Sequence, residues 1–133
     1  MATETLDRYN AIISKFTDSS QFHMFLIEQG SKLKIKDINK LRVKDNYMRG
    51  CRSPIWVIAR IEDNTWHFEF DSDTLIAKGL ARIVQNVFSG MTTSEIGQIT
   101  FKDFGNIARR LPVERQKGLQ AMINRVHKLT KIV

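Results

Sequence analysis

The hydrophobic and polar positions along the chain follow two different periods, which predict helices at both ends and a small sheet between them. Over residues 5–16 apolar side chains recur every three or four positions, the spacing of one helix face. Asp18 followed by Gln21 has the pattern of an N-terminal capping box. It predicts a second helix, which we expect to end at Gly30, where a left-handed backbone is easily adopted.

The middle of the chain has the signals of a β-hairpin. Residues 55–61 form an apolar run rich in β-branched side chains, and residues 65–70 alternate strictly between aromatic and polar. Residues 62–64, between the two runs, are polar and predict a three-residue turn. Residues 31–46 alternate only loosely, so they predict either a loop or an edge strand.

Helical periodicity returns after the hairpin. Asp71 and Asp73 are predicted to cap a helix that buries a face including Leu75 and ends at Gly90. A second capping box, Thr92 to Glu95, predicts a short helix, and a last helix is expected to begin near Pro112. The pattern predicts an α+β fold, with a small antiparallel sheet packed against helices in one domain over residues 1–133.

Composition agrees with one globular domain. The chain has 133 residues, of which 42% are hydrophobic and 26% charged. No apolar run approaches the roughly 20 residues that span a bilayer, so no membrane segment is expected. The first residues lack the basic and apolar regions of a secretory signal, so we expect a cytoplasmic protein.

The net charge of +7 is concentrated between Lys32 and Lys44, with Arg49 and Arg52 close behind. Three interpretations stay open at this point. The segment is a solvated face, a nucleic-acid-binding surface, or a patch that attracts an acidic protein partner.

The single cysteine, Cys51, excludes an internal disulfide and a CxxC redox pair. The three histidines, His23, His67 and His127, are far apart and lack metal-ligand spacing, so no metal site is expected. A protease-type nucleophile is disfavoured because no histidine stands in a context that marks it as the base.

The residues around Cys51 suit a reactive thiol. Gly50 permits a backbone bend and Pro54 prevents a ladder hydrogen bond, which predicts a turn leading into a strand. Arg49 and Arg52 flank the thiol, and a guanidinium pointing toward it would favour the nucleophilic thiolate. The alternative is a buried structural cysteine. A thiol with no evident base and no partner cysteine is suited to accepting sulfur as a persulfide.

Four motifs, in order and at matching separations, resemble the SufE-type sulfur-acceptor family. Residues 50–56 (GCRSPIW) resemble its GCxSxVW signature, and residues 71–80 resemble its DSDxxIVKGL segment. Residues 115–122 are similar to its RxNGLxxM helix, and residues 25–30 to its helix-plus-glycine entry. The resemblance covers nearly the whole chain.

The resemblance implies a two-layer α+β fold like that of the IscU-type iron–sulfur scaffold proteins, with the cysteine loop beside an apolar pocket. It implies that Cys51 accepts persulfide sulfur from a SufS- or CsdA-like cysteine desulfurase, stimulates that enzyme and passes sulfur to an iron–sulfur scaffold complex. The pyridoxal phosphate belongs to the desulfurase, so no cofactor is expected here. The protein would then be an accessory carrier, as a monomer or homodimer, rather than a stand-alone enzyme.

Other residues of the motifs receive supporting roles. Arg49, Gly50, Arg52 and Ser53 are expected to shape the cysteine loop. Asp73 and Arg115 are interpreted as structural or partner-binding, with a structural ion pair from Arg115 to Asp71 or Asp73 preferred.

The sequence departs from the family pattern at Pro54, at Lys117 and in the basic segment. Two alternatives to sulfur transfer remain: a nucleic-acid-binding module, and an adaptor that docks a desulfurase without carrying sulfur. We expect the thiol to be largely shielded in the free protein.

Overall fold

The computed structural model describes residues 3–49 and 53–131, which form a three-stranded antiparallel sheet and seven α-helices. The helices are α1 (Glu4–Ser14), α2 (Ser19–Ser31), α3 (Ile38–Leu41), α4 (Leu75–Phe88), α5 (Thr93–Gln98), α6 (Gly105–Ala108) and α7 (Val113–Thr130). The strands are β1 (Tyr47–Met48), β2 (Ile55–Glu62) and β3 (Thr65–Ser72), in the order β1-β2-β3. The predicted α+β class is confirmed. None of the helices described is both long and apolar enough to cross a lipid bilayer.

The hairpin of β2 and β3 is tighter than the sequence predicts. Glu62 and Thr65 are partners in the register, so the turn consists of Asp63 and Asn64 alone. Both residues have positive φ, 52° and 68°, as a type I′ turn requires, and Asp and Asn tolerate that region. The prediction of a three-residue turn is therefore wrong by one residue.

One face of the sheet packs against α4 and contributes to a single core. Val57, Phe68 and Phe70 point into that face and are buried with Phe88 of α4 and Leu119 of α7. Alternation along the strands put these side chains on one face, because successive residues of a strand point to opposite sides. The result is the two-layer arrangement of sheet on helices that the pattern predicts.

The outer edge of β3 is closed by groups at the end of α4. The backbone N–H of Phe70 donates to Gln85 Oε1 at 2.9 Å, and that of Phe68 donates to Ser89 Oγ at 3.1 Å. The backbone N–H of Trp66 donates to the Met91 carbonyl at 2.8 Å. Capped in this way, the edge offers few free donors to another chain.

Helices α2 and α4 cross at two glycines. A Cβ built on Gly79 would lie 2.1 Å from the Leu26 carbonyl oxygen, and one on Gly30 would lie 2.3 Å from that of Leu75. The presence of a glycine at position 79, inside α4, is thus explained by a close helix–helix contact. Leu75, predicted to be buried, is 48% exposed.

Both predicted capping boxes are present. Asp18 and Gln21 begin α2, and Thr92 and Glu95 begin α5, each with the reciprocal side-chain to backbone bonds. In α7, which follows Pro112 as expected, the apolar stripe that includes Met122 is buried. The weakly patterned residues 31–46 contain α3, and β1 follows them as the edge strand.

Candidate functional site

The segment that carries Cys51 connects β1 to β2. Tyr47 pairs with Trp56 and Met48 with Ile55, so the segment that carries Cys51 joins two residues, Met48 and Ile55, that are partners in the ladder. Cys51, Gly50 and Arg52 lie outside the described residues, and the predictions made for them, including a shielded thiol, stay predictions. Arg49 is described and is exposed. Because Cys51 is two residues from both Arg49 and Ser53, covalent connectivity alone keeps its Cα within about 8 Å of theirs.

Ser53 is the buried anchor on the C-terminal side of this connection. Its side chain is 7% exposed, and its Oγ lies 3.2 Å from Thr74 Oγ1. Arg115 Nη1 also donates to Ser53 Oγ, at 3.3 Å. One hydroxyl therefore ties the cysteine connection to the N-cap of α4 and to the first turn of α7. The two partners satisfy a buried polar group that would be costly to leave unpaired.

Pro54 continues the anchor into the sheet. Its carbonyl accepts a hydrogen bond from the buried Ser72 hydroxyl at 2.6 Å. Since Pro54 has no N–H, it cannot donate to the ladder, and β2 begins at the next residue, Ile55. The predicted strand after Pro54 is present, and the predicted turn around Cys51 lies outside the described residues.

A small apolar cavity adjoins this anchor. Ser53 lines it with Ile55, Leu80 and Met122, and its volume is about 10 Å³. That is room for about one water molecule. The family resemblance implies an apolar pocket next to the cysteine, and because Cys51 lies outside the described residues, that expectation stays a prediction.

Asp71 and Asp73 bind Arg42, a contact that sequence reasoning missed. Arg42 Nε lies 2.6 Å from Asp71 Oδ2, and Arg42 Nη1 lies 3.2 Å from Asp73 Oδ1. The guanidinium also donates to the Ser72 carbonyl at 3.1 Å and lies over the Trp56 ring, 4.5 Å from its centroid. Arg42 thus connects the segment after α3 to β2 and β3. Its contacts there, Trp56 and Asp71, are partners in the ladder, one position from Ile55, where the cysteine connection ends.

Two predictions about these residues are therefore wrong. Asp71 is inside β3 and fully buried, and the cap of α4 is Thr74, whose hydroxyl accepts from Ala77 N–H at 3.3 Å. The cation that Asp71 and Asp73 bind is Arg42, whereas we had preferred Arg115. The one sequence signal for this contact is that Arg42 is an arginine in a segment of lysines. A guanidinium group binds two carboxylates better than an ammonium group does.

The described part of the chain contains no cluster of three or more His, Cys, Asp or Glu side chains placed to hold a metal ion. His127 has a structural contact, since its Nε2 lies 2.7 Å from the Ile99 carbonyl oxygen.

Comparison with known proteins identifies a family. The model of the SufE family, described as an Fe-S metabolism associated domain, matches residues 7–130. An uncharacterized SufE-like protein of Rhizobium meliloti is 35% identical over 112 residues, which are 78% of this chain and 79% of the relative. One from Rhizobium etli is 32% identical over 117 residues, covering 83% and 78%.

A solved structure shares the fold. The solution structure of a hypothetical protein from Thermus thermophilus superposes with a TM-score of 0.80, covering 98% of this chain and 96% of that one. Its sequence identity is 15%, so this likeness is evidence for the fold alone. It agrees with the two-layer architecture that the motifs implied.

Proposed function

This chain belongs to the SufE family of Fe-S metabolism associated proteins, and from that premise we propose that it is a sulfur acceptor whose Cys51 takes persulfide sulfur from a cysteine desulfurase. One observation carries the proposal. The only cysteine of the chain falls within the family's signature segment, between the ladder residue Met48 and the buried anchor Ser53. A reactive group on a connection held by a rigid sheet is a common functional arrangement.

The transfer needs no oxidant. The Cys51 thiolate attacks the outer sulfur of the desulfurase persulfide, a new S–S bond forms at Cys51, and the old S–S bond breaks. The electron pair leaves on the desulfurase cysteine as a thiolate, and the proton of the persulfide stays on the transferred sulfur or exchanges with solvent. Such exchange follows the thiolate fraction of the attacking group and the accessibility of the sulfur attacked.

The partners in this proposal are two. A SufS- or CsdA-like desulfurase, which holds the pyridoxal phosphate, loads Cys51 and is stimulated by losing its sulfur. An iron–sulfur scaffold complex then receives the sulfur. We place the exchange in the cytoplasm, whose reducing conditions keep an unprotected thiol from forming disulfides.

Mass spectrometry tests the proposal directly. After incubation with free cysteine and a SufS-like desulfurase, the intact protein should gain the mass of one sulfur atom on Cys51. The gain should disappear on treatment with a reducing thiol, because a persulfide is reducible. Cys51→Ser should show no gain and no stimulation of alanine production by the desulfurase.

A relocated thiol is the matched control. Cys51→Ser combined with Gln98→Cys keeps one cysteine, but places it on an exposed position of α5. It should load far more slowly than the wild type. Equal loading would contradict a dedicated acceptor site, and full stimulation by Cys51→Ser would favour an adaptor that carries no sulfur.

A further inference from the structure

A groove lies on the outer face of the sheet, and its lining residues have no role in the proposed sulfur transfer. Segment 34–41 forms one wall, neighbouring positions of β2 and β3 form the floor and the other wall, and Gln85 and Ser89 line it where they cap the edge of β3. Its volume is about 730 Å³, within the range of about 300–1,000 Å³ common for binding pockets. We call it the outer groove.

The rim of the outer groove is positive. Lys34, Lys36 and Lys40 line it and are exposed, and none of them has a carboxylate partner among residues 3–49 and 53–131. Asp37 lies between these lysines in the sequence. Its carboxylate accepts hydrogen bonds from the backbone N–H groups of Asn39 and Lys40 and caps α3.

The opposite wall adds little negative charge. Arg60 forms an ion pair with Glu62, so those two charges offset each other. Glu69 is the acidic side chain that this wall presents to the groove. The three lysines therefore outweigh it, and the groove as a whole attracts anions.

The floor is apolar. Ile58 points to this outer face and is 41% exposed, an unusual position for a large apolar side chain at the centre of a strand. Ile35, half-buried, adds a second apolar side chain from the wall formed by segment 34–41. A ligand that fits must therefore bring apolar groups for the floor together with negative charges for the rim.

We propose that the outer groove binds an acidic, partly apolar segment of a partner protein in extended conformation. Alternating side chains of an extended segment reach a floor and a rim at once. Single-stranded nucleic acid is disfavoured because its bases need exposed aromatic faces to stack on. Phe68 belongs to the inner face and is buried, and Trp56 and Tyr47, which share the outer face, do not line the outer groove.

The groove is also separate from the cysteine connection. Ile58 follows Ser53 by five residues, four of which belong to β2, and a fully extended segment of this length spans about 16 Å at 3.3 Å per residue. A partner in the groove therefore leaves the cysteine connection accessible to a second protein. The proposal does not depend on sulfur transfer, and Cys51→Ser should bind the same segment equally well.

Fluorescence anisotropy tests the proposal with the full chain and a labelled peptide of alternating glutamate and valine. Lys34→Glu, Lys36→Glu and Lys40→Glu together should weaken binding at least about tenfold, and added salt should weaken the wild-type complex. The triple variant Lys15→Glu, Lys102→Glu and Lys117→Glu makes the same charge change at exposed positions outside the groove. It should retain most of the affinity.

A second pair of variants tests the apolar floor. Ile58→Ser should weaken peptide binding several-fold, whereas Ile61→Ser, which removes a 46% exposed side chain of the same strand outside the groove, should not. Circular dichroism and urea midpoints verify that all variants fold. The proposal is overturned if both lysine triples lose affinity equally, if Ile58→Ser binds like wild type, or if a labelled single-stranded RNA binds more tightly than the peptide.

Discussion

The hydroxyl oxygens of Ser53 and Thr74 lie 3.2 Å apart, and this contact ties the segment that carries Cys51 to the first turn of α4. Thr74 also caps that helix by accepting from Ala77 N–H, so the anchor and the cap share one hydroxyl. Arg115 approaches the same serine from α7. The C-terminal end of the cysteine connection is thus held by two helices in addition to the sheet.

Removal of this anchor should slow sulfur loading. Ser53→Ala loses both hydrogen bonds of the buried hydroxyl, and we expect the free energy of unfolding to fall by about 1–2 kcal/mol. Loading of Cys51 by the desulfurase should slow several-fold because the connection is less well positioned. Urea unfolding and timed mass spectrometry measure the two effects. Thr74→Ser, which keeps the hydroxyl, should load at nearly the wild-type rate, and a normal rate for Ser53→Ala would refute this role.

The Arg42–Asp71 pair should contribute more to stability than an exposed pair of the same kind. Asp71 is 0% exposed, so Arg42→Met leaves a buried carboxylate without its cation and should lower the free energy of unfolding by about 3 kcal/mol. Arg60→Met removes an exposed pair with Glu62 and should change it by less than about 1 kcal/mol.

A double-mutant cycle separates pairing from other effects. Arg42→Met with Asp71→Asn should destabilise less than the sum of the two single variants, since no unpaired charge remains buried. Strict additivity in urea unfolding would show that the two side chains do not depend on each other.

Replacing glycine by alanine should have opposite effects on stability at Gly79, in the crossing of α2 and α4, and at Gly97, in α5. Gly79→Ala places a methyl group against the Leu26 carbonyl, so the helices must separate, and we expect a loss of about 2–3 kcal/mol. Gly97→Ala in α5 meets no atom within 4 Å and should stabilise by about 0.5–1 kcal/mol through its helix propensity. Thermal and urea unfolding measure both. A neutral Gly79→Ala would contradict the close crossing.

Acid should weaken the cap of α2. The Ser20 hydroxyl and the Gln21 backbone N–H both donate to Asp18, and they hold the pKa of this carboxyl below its ordinary value of 3.8. A folded-state pKa below the unfolded one means that the ionised cap stabilises the fold above the unfolded pKa, and that this contribution is lost as pH falls through the folded pKa. Asp18→Asn can cap without titrating. Its stability deficit relative to wild type should be present at neutral pH, shrink as the pH falls below 3.8 and vanish below the folded-state pKa. A deficit independent of pH in urea midpoints would contradict this mechanism.

Local patterns predicted the elements whose signals are contained within a few residues. The capping boxes at Asp18 and Thr92 and the alternation through Phe68 and Phe70 needed no distant partner, and all are present. The prediction for Leu75 is wrong because its backbone faces α2, with its carbonyl against Gly30, while its side chain is 48% exposed.

The features that the sequence did not predict depend on contacts between distant parts of the chain. Asp71 looked like a helix cap because its partner Arg42 is 29 residues away, and nothing near it in sequence shows that β3 extends to Ser72. Likewise Gly79 gave no indication that Leu26 of α2 lies against it. For the site, the sequence identified Cys51 and Ser53, and the structure adds what Ser53 binds, while the prediction for Cys51 is left to the sulfur-loading experiment.

The pairing of Met48 with Ile55 closes the segment between them at its base. A closed base means that residues can be inserted between the two strands without shifting the register of the sheet, since each doubling of such a segment adds only about 0.6 kcal/mol of closure entropy. The number of residues between Met48 and Ile55 can therefore change, in evolution or by engineering, independently of the sheet that supports them.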